Sequence, residues 1–143
     1  MKYFMCIVML AVVALVKADD WSPKTVDDIK SIREECVKQA PASDEEFEKR
    51  KENEYPDVES VRKYVLCTSK AWGLYEDGKG FNADRVAQQF KGDLTEDEIK
   101  TIVHDCDAKT KEDTDDEKAY HIMKCTCSTK LGEDIKEILK RSE

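Results

Sequence analysis

Val61-Arg62-Lys63-Tyr64-Val65-Leu66-Cys67-Thr68-Ser69-Lys70-Ala71-Trp72-Gly73-Leu74-Tyr75-Glu76-Asp77-Gly78-Lys79-Gly80-Phe81-Asn82 changes character part-way along. Up to Trp72, the residues Val61, Tyr64, Val65, Thr68 and Trp72 recur at spacings of three and four, so they share one face of a helix. Pro56 opens that region, and the spacing predicts a helix from about Val58 to Trp72. Gly73, Gly78 and Gly80 then break the chain into a turn. Asn82 follows as the cap of a short helix that carries Val86 and Phe90 and stops at Gly92.

The same periodicity extends in both directions. Val26, Ile29, Ile32 and Cys36 mark one face of a first helix from Val26 to Lys38, and Pro41 ends that region. A short polar helix follows Ser43. Ile99, Ile102, Val103 and Cys106 belong to a fifth helix, and the polar stretch from Asp107 to Asp113 reads as a linker. Ala119, Tyr120, Ile122 and Met123 lie on a sixth helix, from Asp115 to about Cys127. Leu131, Ile135, Ile138 and Leu139 form a last amphipathic segment. Four capping boxes mark helix starts: Thr25 with Asp28, Ser43 with Glu46, Thr95 with Glu98, and Thr114 with Glu117. No run sustains a two-residue alternation, so strands are not expected. The chain reads as all-α, with six to seven short helices.

The N-terminus has the composition of a secretory leader. Lys2 is followed by the almost wholly apolar run Tyr3 to Val16, and Val16-Lys17-Ala18 offers small residues for cleavage. The run falls short of the roughly 20 residues a membrane span needs. Residues 1–18 are therefore read as a signal peptide and 19–143 as a single helical domain. Without the leader, 22 basic side chains face 32 acidic ones. Such an acidic surface repels nucleic acid and anionic membranes, so neither is an expected partner.

Five cysteines remain beyond Cys6 of the leader: Cys36, Cys67, Cys106, Cys125 and Cys127. They contain no C-x-x-C pair, and no metal or cofactor is expected. Widely spaced cysteines in an exported chain read as staples between helices, closing a small shell around something. Cys125 and Cys127 stand about 200° apart on an ideal helix. Periodicity puts Cys127 nearer the stripe of Ala119, Tyr120 and Met123.

These features resemble the insect odorant-binding proteins, also called the pheromone-binding protein family. Cys36 on the first helix is similar to that family's first cysteine. Gly73-Leu74-Tyr75-Glu76-Asp77-Gly78-Lys79-Gly80-Phe81-Asn82 resembles the segment after its third, which gives that place to Cys67. Cys106 resembles the fourth, and Ala119-Tyr120-His121-Ile122-Met123-Lys124-Cys125 resembles the run into the sixth. Trp21-Ser22-Pro23-Lys24-Thr25 is similar to the opening of some fly members. The family's second and fifth cysteines then fall on Lys63 and Asp116, so the pair that bond each other is missing, as in the "minus-C" subgroup. The resemblance implies a Cys36–Cys67 and a Cys106–Cys125 disulfide around an internal apolar cavity. Here it disagrees with periodicity, because it gives the bonded place to Cys125. Lys63 and Asp116, oppositely charged, are expected to form an ion pair.

What the resemblance implies is a secreted carrier of small hydrophobic molecules, without catalysis. The candidate lining residues are Val65, Thr68, Trp72, Phe81, Phe90, Ile102, Val103, Tyr120 and Met123. Thr68 and Tyr120 are the candidates for a polar contact that orients an alcohol, ester or carbonyl. His104 and His121 raise the question of release by pH, against the plainer reading of two exposed side chains. A chemosensory receptor and a homodimer are the protein partners the resemblance leaves open. Sensillar lymph and haemolymph are both compatible settings, the second with a carrier that has no sensory role.

A secreted phospholipase would need a calcium loop and a histidine beside a cysteine pair, which His104-Asp105-Cys106 lacks. Asp105-Cys106-Asp107 begins like a calcium loop, but Lys109 and Thr110 stand where an oxygen ligand and a glycine belong. Venom and antimicrobial chains are usually shorter, richer in cysteine and often basic.

Overall fold

The computed structural model describes residues 20–51, 55–112 and 114–143. The leader expected at 1–18 lies outside them. Seven helices are present among the described residues: α1 (Val26–Gln39), α2 (Asp44–Lys51), α3 (Glu59–Ala71), α4 (Ala83–Gln89), α5 (Glu96–Lys109), α6 (Asp115–Cys127) and α7 (Leu131–Arg141). Two-residue strands β1 (Tyr75–Glu76) and β2 (Gly80–Phe81) pair antiparallel between α3 and α4.

Helix starts follow local chemistry. Thr25 Oγ1 accepts from the Asp28 N–H at 3.2 Å, and the Asp28 carboxylate accepts from the Thr25 N–H at 2.9 Å. Ser43 with Glu46 and Thr95 with Glu98 make the same reciprocal pair. The fourth expected box is incomplete. The Thr114 hydroxyl donates to the Glu117 carboxylate at 3.0 Å and caps no backbone N–H. The linker expected from Asp107 is also shorter than the sequence suggests. Helix α5 continues to Lys109, where the Thr110 hydroxyl donates to the Cys106 carbonyl at 2.9 Å and occupies one of the last free acceptors.

The expected glycine turn is a tight ribbon. Gly78 and Gly80 adopt φ of +74° and +93°, which an L-residue with a Cβ rarely takes, and this lets the chain reverse within three residues. Tyr75 faces Phe81 across the ribbon, ring centroids 5.1 Å apart and edge-on. Such an edge-to-face pair is favoured by the ring quadrupoles. Asp115 at the head of α6 accepts from Tyr75 Oη at 2.8 Å and the Gly78 N–H at 3.1 Å, so the ribbon is fastened to α6. These bonds, the Gly78 one foremost, lower the Asp115 pKa.

Disulfides join Cys36 to Cys67 and Cys106 to Cys125, each with Cα atoms 5.7 Å apart. The first ties α1 to α3 and the second ties α5 to α6. On a chain-entropy estimate, loops of these lengths stabilise by about 3–4 kcal/mol each. The expected Lys63–Asp116 ion pair does not form. Lys63 Nζ bonds Glu59 one turn back along α3, at 2.5 Å, while Asp116 meets Arg62 Nε at 3.9 Å. The i,i+4 neighbour on its own helix captures the lysine before a partner on α6 can.

Two groups of buried side chains make the core. One joins Ile29, Trp72, Leu74, Val86, Phe90, Ile99, Val103 and Leu131. The other joins Cys36, Val61, Tyr64, Val65, Tyr75, Ala119 and Tyr120. Helix α7 is carried by no disulfide. Leu131 is fully buried, and Arg33 Nη1 on α1 donates to the Leu139 carbonyl at 3.1 Å and to Ser142 Oγ at 3.0 Å. Gly132 lets the backbone of α7 lie against the end of α6, where a Cβ would fall 2.0 Å from the Cys127 carbonyl oxygen.

Candidate functional site

An apolar cavity with about 100 Å³ of free space draws its walls from both buried groups. Helix α3 supplies Tyr64, Val65, Thr68 and Ser69, because its inward face follows the helical repeat, and Trp72 just past its end continues that face. Phe81 from β2, Val86 from α4 and Phe90 just after it close one side, with Val103 from α5. Ile122, Met123, Thr126 and Cys127 from α6 and Ile135 and Leu139 from α7 join them, and Arg33, Tyr55 and Leu74 complete the wall.

Of the candidate lining residues, Val65, Thr68, Trp72, Phe81, Phe90, Val103 and Met123 border this space. Ile102 and Tyr120 do not. Ile102 is partly buried against the first core group, turned about 100° around α5 from Val103. Tyr120 is buried within the second group, and its hydroxyl donates to the Tyr55 carbonyl at 2.6 Å. It is therefore already committed and cannot orient a guest. Thr68 reaches the cavity, but its hydroxyl donates to the Val65 carbonyl at 3.0 Å.

Among the wall residues, the buried polar group without a partner lies elsewhere. Trp72 is 7% exposed, and its Nε1 has no hydrogen-bond partner among the described residues. A buried N–H in that condition costs free energy until something accepts from it. Arg33 is the one charged residue in the wall. Burial is the largest influence on its pKa and pulls it down, yet the Tyr64 hydroxyl and the surrounding field carry it up, so the guanidinium keeps its charge.

The walls contributed by α7 escaped sequence reasoning, although Leu131, Ile135, Ile138 and Leu139 were visible as an apolar stripe. Periodicity says which residues point inward, not which neighbour they meet. Cys127 is the free thiol among the described residues. It is half-buried on the cavity wall, its sulfur 3.6 Å from that of Met123, and burial raises its pKa. The stripe-facing cysteine thus lies inward and unbonded, while Cys125 reaches Cys106. His104 and His121 are not in the wall. His104 is exposed, and His121 sits between Glu112 at 2.9 Å and Asp57 at 3.4 Å.

The sequence profile of the PBP/GOBP family matches residues 18–129. The chain belongs to this family of insect odorant-binding proteins. It is 32% identical over 136 residues to general odorant-binding protein 99b of Drosophila melanogaster, spanning 87% of this chain and 91% of the relative. It is 26% identical over 125 residues to odorant-binding protein 22 of Aedes aegypti, covering 87% and 88% of the two chains. Among solved structures, the crystal structure of Anopheles gambiae odorant-binding protein 22a superposes with a TM-score of 0.60 at 20% identity, over 74% of this chain and 98% of that one. Apis mellifera odorant binding protein 5 gives 0.59 at 19%, over 77% and 95%. These two likenesses establish the shared all-helical fold. No helix among the described residues is long and apolar enough to cross a membrane.

Proposed function

We propose that this chain is a secreted carrier that reversibly binds small hydrophobic molecules, odorant-like or otherwise lipophilic, in the cavity between its helices. Membership of an odorant-binding family supports the class of function. The observation that carries the reading for this chain is the cavity itself: walls almost wholly apolar, with one buried donor, Trp72 Nε1, left without a partner. A guest carrying an oxygen acceptor would relieve that N–H, a role that Thr68 and Tyr120 have no free hydroxyl proton to fill. The remaining wall, with Val65, Phe81, Phe90, Val103 and Met123, would take the apolar body, and Met123 adapts to varied shapes.

Each methylene buried in the cavity stabilises the complex by ~0.8 kcal/mol before association costs are subtracted. Dissociation constants in the micromolar range then need close fit together with the polar contact. Binding of that strength suits uptake and delivery. Displacement of a fluorescent apolar probe tests the reading: a saturable, displaceable signal is expected, and no saturable binding of any apolar compound would defeat it. Secretion follows from the leader read at 1–18, and N-terminal sequencing of the exported protein should begin at Asp19. Immunolocalisation would separate sensillar lymph from haemolymph.

A further inference from the structure

Cys127 is the free thiol among the described residues, and it lines the apolar cavity. It is half-buried on α6, its sulfur 3.6 Å from that of Met123. No lysine or histidine among the described residues lines that space. The hydroxyls of Thr68 and Thr126 there are weak nucleophiles, each already donating to a carbonyl of its own helix. An electrophilic guest in the cavity therefore meets one strong nucleophile, the Cys127 sulfur. The same wall holds Trp72, 7% exposed, whose Nε1–H has no acceptor among the described residues. A thiol and an unpartnered N–H in one apolar wall suit a guest whose electrophilic carbon is conjugated to a carbonyl oxygen.

We propose that Cys127 captures apolar α,β-unsaturated ketones and aldehydes covalently, by conjugate addition inside the cavity. The proposal rests on the carrier reading and gives one class of guest a second fate. The Cys127 thiol gives its proton to water, and the sulfur forms a bond to the β-carbon of the guest. The π pair of the C=C bond moves through the carbonyl to make an enolate oxygen, which a donor such as Trp72 Nε1 stabilises. The α-carbon then takes a proton from water. The product is a thioether that keeps its carbonyl, and the addition needs no oxidant or reductant. Burial works against the first step, because it raises the Cys127 pKa, and the ammonium groups of Lys136 and Lys124 oppose that push. Reagents that meet the thiol only from bulk water should react slowly. A guest held against the wall presents its alkene at a high effective concentration, which offsets the scarcity of thiolate. Selectivity then comes from binding rather than from activation of the thiol.

The test uses pentyl vinyl ketone, its saturated counterpart ethyl pentyl ketone, and acrylamide as a hydrophilic acceptor. Intact mass and peptide mapping follow addition at Cys127, with the disulfides left oxidised. The vinyl ketone should add at Cys127 with a rate that saturates with its concentration. Ethyl pentyl ketone should add nothing and should slow the vinyl ketone competitively. The rate of the vinyl ketone relative to acrylamide should be at least about ten-fold higher in the native protein than in urea, the mark of delivery by binding. Cys127→Ser should lose the adduct while keeping the circular dichroism of the parent. An equal ratio in the two states, an adduct indifferent to ethyl pentyl ketone, or one that persists in Cys127→Ser would overturn the proposal. Displacement of an apolar probe by both ketones without modification of Cys127 would also overturn it and leave the carrier reading standing. So would binding of the probe but of neither ketone. Failure of the probe and both ketones to bind would overturn both readings together.

Discussion

Gly132→Ala sets two opposing effects against each other. Gly132 is the second residue of α7. In a helix, alanine is favoured over glycine by up to about 1 kcal/mol, so propensity alone makes the substitution stabilising. The tertiary contact says the reverse. A Cβ at this position falls 2.0 Å from the Cys127 carbonyl oxygen and 2.7 Å from its carbon. Both are backbone atoms, which cannot swing aside as a flexible side chain would. Helix α7 must therefore back away by about an ångström, and over-packing of that kind costs about 1–3 kcal/mol. The net expectation is a loss of stability of up to about 2 kcal/mol. Because α7 carries Ile135 and Leu139 into the cavity wall, its displacement should also weaken probe binding. Urea unfolding followed by circular dichroism gives the first quantity and probe titration the second. A variant as stable as the parent or more so, with unaltered binding, would refute the close approach and the place given to α7.

Val103→Phe projects extra volume into the cavity. Probe affinity should fall by at least about ten-fold, while stability changes by less than ~1.5 kcal/mol because the space already exists; unfolding and titration on one preparation separate the two. Iodoacetamide should label Cys127 more slowly in the native protein than in urea, since burial raises its pKa, and a bound apolar guest should slow it further; equal rates in both states would contradict the half-buried thiol. Asp28, Glu98 and Asp115 have lowered pKa values, the first two chiefly from the N–H groups of Thr25 and Thr95 and the third from that of Gly78. The unfolded chain therefore takes up protons before the folded one does. Their contribution is fully present above the ordinary carboxylate values and is lost as pH falls through the lowered ones, so urea midpoints should hold near neutral pH and drop below about pH 4.

What could be read beforehand divides along physical lines. Caps at Thr25, Ser43, Asn82 and Thr95 depend on residues within three positions, so sequence suffices for them. At Thr114 the hydroxyl donates to the Glu117 carboxylate, as those of Thr25 and Thr95 do to theirs, but it accepts from no backbone N–H, a difference of backbone geometry that the same residue pattern does not encode. Ile102 and Val103 are equally apolar neighbours on one stripe, and only the position of α4 and α3 decides which meets the cavity. Tyr120 is a candidate polar contact in the sequence, yet its hydroxyl is already bonded in the fold. Its acceptor is the Tyr55 carbonyl, 65 residues away. Cys125 and Cys127 show the limit most directly. The apolar stripe chose Cys127 as the inward residue, and it is inward, but bonding depends on where α5 brings Cys106.

The two cross-links also explain where the hollow space lies. One holds α1 to α3 and the other α5 to α6, so four walls are covalently fixed. Lys63 and Asp116, where the resemblance would put a third link, lie on α3 and α6. There the helices pack directly against each other, and Arg62 faces Asp116 in place of a bond between sulfurs. An ion pair of that kind contributes only ~0–1 kcal/mol, so the α3–α6 contact depends on its packing and on the Asp115 bonds to the β1–β2 ribbon. Helix α7 has neither a disulfide nor a ribbon. Leu131, the Gly132 approach and the Arg33 bonds hold it, and these can open without breaking a covalent link. That wall borders a second hollow of about 220 Å³ between α6 and α7. Exchange of a guest through that side would leave both disulfides intact, and local opening draws on such weakly held elements first.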